Sequence, residues 1–430
     1  MSSATCWRIR PMTDLRLSAI ARRIGPSLLT FLLGTGALFA ADVLVGRVLP
    51  AQEVARWATL KSVLLPLAAF ALFGFDQMVV REPSKWKSIR LPALAMIGTL
   101  SVVGALVCSM LGFYDRPLLL IPAAILMAAC NLYFGLFRAD LRFFLAQISR
   151  DGWKVLFLAG IVAMALQAEL TIETLLLLAL FVSVALSVLV HAFTPSRPVR
   201  ELFDEVQNFP SAIRIAFPFA LVSAALAIAS FGEVAVINFL GGGAIIADYF
   251  ITALCFVSAM SMLNTFLSTF LGTMTRQHPE RAVQWYDRAT STARRYWWAI
   301  PFAVLALPAA TFVLGWIAHA ILFPGRDLHL PWAMLMAITA GTRLSYTFIS
   351  ILVGALGDRG QITRTSFAYF GLAVLFPAIA YLFAAAGMEI GFAVALASVL
   401  HWLGRSVVGF STGRKILSHY RDLQESGDAG

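Results

Sequence analysis

Residues 211–240 read SAIRIAFPFALVSAALAIASFGEVAVINFL, with Arg214 and Glu233 the only charges in the run. A helix needs about 20 apolar residues to cross the hydrocarbon of a bilayer, and this run exceeds that. Gly241–Gly243 follows and reads as a tight turn between helices rather than a phosphate loop. A second apolar run begins directly after it, over 245–274. Backbone amides in lipid must pair within their own segment or in a closed barrel. These runs are too long and too uniform for barrel strands, which alternate over about ten residues. Helix is therefore the forced choice.

Working outward, the same pattern recurs along all 430 residues. Twelve apolar runs are expected to span: 26–48, 57–80, 91–113, 117–138, 152–168, 171–194, 211–240, 245–274, 297–322, 331–356, 365–386 and 389–411. Composition agrees, with 60% hydrophobic and 13% charged residues, against about 25% charged in a soluble domain. The bilayer is thus part of the solvent of this chain. The polar lead with Arg8, Arg10, Arg16, Arg22 and Arg23 precedes a long run that contains Asp42 and ends in GRVLP. That is a poor cleavage site, so the first run reads as a retained helix.

The formal charge of +10 raises nucleic acid as a partner, but the placement of the charges argues otherwise. With the N-terminus inside, 26 of the 33 Lys and Arg fall on the inner side. Four (Arg47, Arg56, Arg116 and Arg326) fall outside, and three (Lys61, Arg343 and Arg405) lie within helices. This is the positive-inside bias of a membrane protein. One helix more or fewer would reverse every later loop and erase it. Both termini are therefore expected in the cytoplasm, and nucleic acid is not an expected partner. No connection is long enough for a soluble catalytic domain. The segment 276–295, RQHPERAVQWYDRATSTARR, reads as an amphipathic helix along the membrane surface. Of the four cysteines, Cys108, Cys130 and Cys255 lie in apolar runs and no CxxC occurs, which favours small core residues over disulfides or a metal.

The chain also repeats. ADVLVGRVLPAQEVARWATL (41–60) and GEVAVINFLGGGAIIADYFIT (232–252) align Asp42 with Glu233 and Leu49 with Leu240. One extra residue in the turn then aligns Trp57 with Tyr249. Each half holds six helices, an even number, so the halves enter the membrane from the same side and the repeat is parallel. The expected organisation is a cytoplasmic arm (1–25), a first lobe of helices 1–6 (26–195), a cytoplasmic linker (196–210), a second lobe of helices 7–12 (211–412) and a cytoplasmic tail (413–430). A cleft is expected between the lobes.

Ionisable groups at membrane depth cost at least about 2.5–3.5 kcal/mol near a helix centre, so each needs a reason. Arg343, in ITAGTRLSYTF, lies mid-helix. Either it faces a wet cavity and grips an anion such as phosphate, or it pairs structurally with a carboxylate or carbonyls. Arg405 lies about 10 Å from the inner surface, within reach of that surface by its stem. Lys61, one turn below Trp57, fits snorkelling to the outer surface. Asp42, about 12 Å deep, and its counterpart Glu233 read as an ion or proton site, a salt-bridge gate with Lys61 or Arg343, or a structural pair. Asp76 with Arg81 reads by default as an ion pair near the inner face. Pro66, Pro122, Pro218, Pro308 and Pro377 interrupt helices and free carbonyls for bending. No P-loop, HExxH, GxSxG or clustered metal ligands occur, and no cofactor is expected.

These residues carry a resemblance. The turn GRVLPAQEVARWATL (46–60), the ending PLAAFALFGFDQMVVREP (66–83) with Gly74, Phe75, Asp76, Gln77 and Arg81, and the half-start IRIAFPFALVSAALAIASFGEVAVINFLGGGAIIADYFITAL (213–254) resemble the polysaccharide flippases. These are the O-antigen and exopolysaccharide repeat-unit flippases of the multidrug/oligosaccharidyl-lipid/polysaccharide exporter superfamily. Glu233 stands where that family usually has Asp, and Ala247-Asp248 where it commonly has Gly plus one residue.

The resemblance implies an all-α, MATE-like membrane protein of about twelve helices, in two six-helix lobes around a central cavity that rock between inward- and outward-open states. It implies a bacterial inner-membrane location and a polyprenyl-diphosphate-linked oligosaccharide as substrate. Membrane lipids, a polysaccharide polymerase and export proteins are the partners it implies. Arg343, Arg405 and Lys61 are then the candidates for the diphosphate. Asp42, Glu233, Asp76 and Arg81 are the candidates for coupling or gating. An ion-coupled multidrug exporter of the same superfamily is the alternative, and a membrane-embedded glycan polymerase or acyltransferase the second.

Overall fold

The computed structural model describes residues 17–427, apart from 82, 141, 167–170, 194–204, 259, 265, 266, 268–270, 273, 274 and 276–278. Among the described residues every regular element is helical. The first half comprises α1 (Leu17–Val48), α2 (Ala51–Ala71), α3 (Phe75–Arg81), α4 (Pro83–Met110), α5 (Pro117–Ala139), α6 (Phe143–Leu166) and α7 (Ile172–Ala192). The second comprises α8 (Glu205–Phe239), α9 (Ile246–Ala253), α10 (Pro279–Arg295), α11 (Ile300–Leu322), α12 (Leu330–Leu356), α13 (Arg359–Ala385) and α14 (Ile390–Gly427). A short 3-10 turn (Gly243–Ile245) leads into α9, and a π-helical turn (Leu254–Ser258) follows it. Eleven segments among the described residues are long and apolar enough to cross a membrane. The protein is a multi-pass, all-α membrane protein.

The expected span missing from these eleven is the fifth, 152–168, which falls in α6, and its composition explains why it stands apart. It begins at Phe143 rather than near 152, so Arg150 and Lys154 lie inside the helix and not in the inner connection to which the charge count assigned them. The charge of Asp151 between them makes this tolerable: its carboxylate is fully buried and accepts from both.

Three further boundaries differ from expectation. The run 57–80 is two helices, α2 and α3, broken where Phe73 and Gly74 take φ of 51° and 74°. The last helix does not stop at 411 but continues to Gly427 through the expected tail, and α8 starts at Glu205, inside the expected linker. Residues 1–16 of the expected arm and 196–204 of the linker lie outside the described residues. The amphipathic segment is helical as α10. Its Tyr286 hydroxyl donates to the Phe348 carbonyl of α12, and burial pushes that hydroxyl above its ordinary pKa, keeping it a donor.

Within the first half α1 packs on α6, and within the second α14 packs on α12 and α13. The halves meet through α2 against α8 and α9, and through α3 and α4 against α8. The break before α3 serves that contact. A Cβ on Gly74 would sit 2.5 Å from the Ala216 carbonyl oxygen and 2.6 Å from the Ala220 nitrogen, so a glycine, already at positive φ, lets α8 approach the backbone itself. At the ends that the charge bias assigns to the outside, Arg47 of α1 donates to the terminal carbonyls of α11, 2.8 Å to Ile321 and also to Leu322. Those carbonyls have no partner within their own helix. Asn238 of α8 bonds the Gly112 and Phe113 carbonyls at 3.2 and 3.3 Å.

Candidate functional site

Two polar clusters sit inside the apolar core, one in each half. In the first half Asp42 of α1, 2% exposed, accepts from the Trp57 indole at 2.8 Å and from the Lys61 ammonium at 2.5 Å. Trp57 and Lys61 are one helical turn apart on α2, so both reach the same carboxylate. Trp57 is fixed from behind by Phe157 of α6, stacked at 4.7 Å. Lys61 also lies 5.6 Å from the Phe250 ring of α9, which places it at the junction of the halves. The α6 cluster adjoins it. Asp151 accepts from Gln147 at 2.9 Å, from Arg150 at 3.1 Å and from Lys154, and Lys154 lies within electrostatic reach of Lys61. Arg150 covers the Phe134 ring at 4.3 Å. In these two clusters Asp42 and Asp151 are each held by cations.

The second half repeats the first contact and then diverges. Glu233 of α8 accepts from the Tyr249 hydroxyl of α9 at 2.8 Å, the counterpart of Asp42 and Trp57. Its other oxygen accepts from Ser398 of α14 at 2.6 Å, not from a lysine. The cations here lie elsewhere. Arg343 of α12 is 5% exposed, bonds Ser230 of α8 at 3.1 Å and lies 4.7 Å over the Trp402 ring. Arg405 of α14, 1% exposed, bonds the Tyr346 hydroxyl at 3.1 Å. Its guanidinium sits 4.3 Å from the Tyr369 ring and 5.3 Å from Trp402. Ser398, Trp402 and Arg405 follow at helical spacing on one face of α14, and Arg343 and Tyr346 do so on α12. The two arginines repel each other while Glu233 attracts Arg343.

The candidates thus sort into groups. Asp42 and Lys61 are together; Glu233, Arg343 and Arg405 form a second set. Lys61 does not snorkel to the surface, because Asp42 holds it. Arg405 does not reach the inner surface either, because its guanidinium is enclosed by Tyr346, Tyr369 and Trp402. Arg343 is turned onto Trp402 and is almost fully buried. Asp76 differs from a surface ion pair: one oxygen accepts from Gln77 at 2.8 Å, the other is buried without a partner among the described residues, and the Arg81 side chain lies outside them. Sequence reading did not single out Asp151 and Lys154, nor the aromatics Tyr346, Tyr369 and Trp402. The signal for the first pair was the RDGWK string (150–154) in an otherwise apolar run; the aromatics come from three helices and had no local signal.

Two grooves open on the helix surfaces. One, of about 640 Å³, is lined by Leu403, Val407 and Phe410 with Arg414 and Lys415 at its end. The other, of about 470 Å³, lies between Pro210, Phe217 and Thr363.

No protein-family model matches the chain, and no curated protein is significantly similar to it. Solved structures do match over nearly the full length. Lipid II flippase MurJ in an inward closed conformation is 13% identical, with a TM-score of 0.63 over 92% of this chain and 90% of that one. A MATE in a bent conformation is 15% identical, with a TM-score of 0.59 over 94% and 96%. An outward-facing multidrug resistance MATE family transporter of the MOP superfamily is 15% identical, with a TM-score of 0.59 over 93% and 96%. At these identities the likeness is one of architecture, and the chain has the fold shared by the MATE transporters and the MurJ flippase.

Proposed function

We propose that the protein is a transporter, not an enzyme, and that it flips a polyprenyl-diphosphate-linked oligosaccharide from the inner to the outer leaflet of the bacterial inner membrane for surface polysaccharide synthesis. The fold it shares with both a lipid flippase and multidrug transporters supports transport but leaves the substrate open between them. One observation favours the anionic lipid: the interior of the second half carries two buried guanidinium groups, Arg343 and Arg405, with Glu233 as the carboxylate in reach. Such a surplus repels a cationic drug and attracts a diphosphate. As the halves rock apart, Arg343 and Arg405 meet the diphosphate, with Lys61 contributing from the first half. The Asp42–Lys61 pair and Glu233 act in coupling or gating, and Asp76 and Arg81 act at the inner end of the gate. Arg343→Ala is expected to abolish surface polysaccharide and accumulate lipid-linked repeat units in the inner leaflet, at unchanged protein level. Normal surface polysaccharide in that variant removes Arg343 from the mechanism. Drug hypersensitivity with unaltered glycans in a deletion strain favours the multidrug reading instead.

A further inference from the structure

The arginine cluster has more hydrogen-bond donors than acceptors. Nε of Arg343, Nε and Nη1 of Arg405 and Nε1 of Trp402 are all buried with no acceptor among the described residues. They belong to neighbouring side chains: both guanidinium groups lie near the Trp402 indole, at 4.7 and 5.3 Å from its centre. Leaving a charged donor buried and unpaired costs more than the roughly 1–3 kcal/mol of a neutral one, and a helix bundle does not tolerate four together without a counterpart. Glu233 does not supply it: both its oxygens are taken by Tyr249 and Ser398, and no ion pair joins it to either arginine among the described residues. His401 adds no negative charge; its Nδ1–H is shared with the Leu372 carbonyl at 3.0 Å. In the first-half clusters the cations are matched: Lys61, Arg150 and Lys154 each have a carboxylate. What these donors lack, among the described residues, is an acceptor with negative charge and no hydrogens of its own.

We propose that α12, α13 and α14 enclose a site for a small inorganic anion, held by the free N–H groups of Arg405, Arg343 and Trp402 and walled by Tyr346 and Tyr369. The anion completes the resting, closed protein and leaves when a larger phosphate group enters. Only that last step rests on the transport reading; the binding stands without it.

The test uses the purified full-length protein in detergent, exchanged into sodium gluconate and titrated with sodium chloride or sodium phosphate at constant ionic strength, with thermal unfolding as readout. A ligand bound to the folded state raises the unfolding temperature in proportion to the logarithm of its concentration above its dissociation constant. Wild type is expected to show this logarithmic rise with at least one of the two anions. Arg405→Gln should shift the concentration at which the rise begins upward by about tenfold or more, the scale of one charge-assisted bond. Trp402→Phe keeps the ring over both guanidinium groups and removes one N–H; it should shift the concentration by several-fold, which keeps the test valid if Arg405→Gln does not fold. An unfolding temperature in wild type independent of both anions overturns the proposal, as does a titration that Trp402→Phe and Arg405→Gln leave unchanged. Binding without any polysaccharide defect in Arg343→Ala instead sinks the transport reading and leaves the anion site standing.

Discussion

Asp42 is held from two directions, by an indole N–H and by an ammonium, and both donors come from one face of α2. Removing one partner of such a pair leaves a charge stranded in an apolar core, which typically costs about 3–5 kcal/mol, whereas removing both often costs little. Lys61→Met should therefore lower the unfolding temperature strongly, and Asp42→Asn combined with Lys61→Met should recover much of the loss. A thermal-unfolding double-mutant cycle measures this directly; a double variant as unstable as the two singles added together would show that the pair is not coupled. The equivalence of the two contacts was legible in the sequence, where aligning 41–60 with 232–252 pairs Asp42 with Glu233 and Trp57 with Tyr249; the contacts themselves were not. What could not be read is the difference between the halves. Whether a carboxylate meets a lysine or a serine depends on which helix packs across from it, and Ser398 lies 165 positions from Glu233.

At the scale of the element, helices were legible wherever the bilayer leaves no other choice, and misjudged wherever side-chain pairing outweighs hydropathy. The α6 segment looked short because Arg150, Asp151 and Lys154 interrupt its apolar run, yet their mutual pairing lets the helix extend from Phe143. Similarly, an uninterrupted apolar run hid the break at Phe73 and Gly74, since positive φ leaves no trace in hydrophobicity. The seam between α1 and α6 offers a sharp test. A Cβ at Gly34 would lie 2.4 Å from the Cβ of Asp151, while one at Gly36, half a turn further on, meets nothing within 4 Å. Gly34→Val is expected to push α6 away and cost about 1–3 kcal/mol by overpacking, with Gly36→Val nearly neutral. Equal unfolding temperatures for the two variants would mean that α1 and α6 do not pack as described.

Across the whole molecule, two halves built on the same starting contact carry different interiors. In the first, Asp42 and Asp151 match Lys61, Arg150 and Lys154; in the second, two arginines stand on aromatic rings with donors unspent. The bundle is clamped at the ends assigned to the outside by Arg47 on the α11 carbonyls and Asn238 on the α4–α5 turn. A bundle clamped at those ends, with unpaired cationic donors inside its second half, suits the proposed carrier that admits an anionic head from one face at a time, and that is the claim on which the account stands. Its most direct test is leaflet exchange in liposomes. The purified protein is reconstituted with a polyprenyl-diphosphate-linked oligosaccharide, and the fraction cleaved by an externally added glycosidase is followed over time. The account predicts that wild type brings the inner-leaflet fraction within reach of the enzyme, while folded Arg343→Ala and Arg405→Gln remain at the level of protein-free liposomes. Wild type indistinguishable from protein-free liposomes, or both variants as active as wild type, would contradict it.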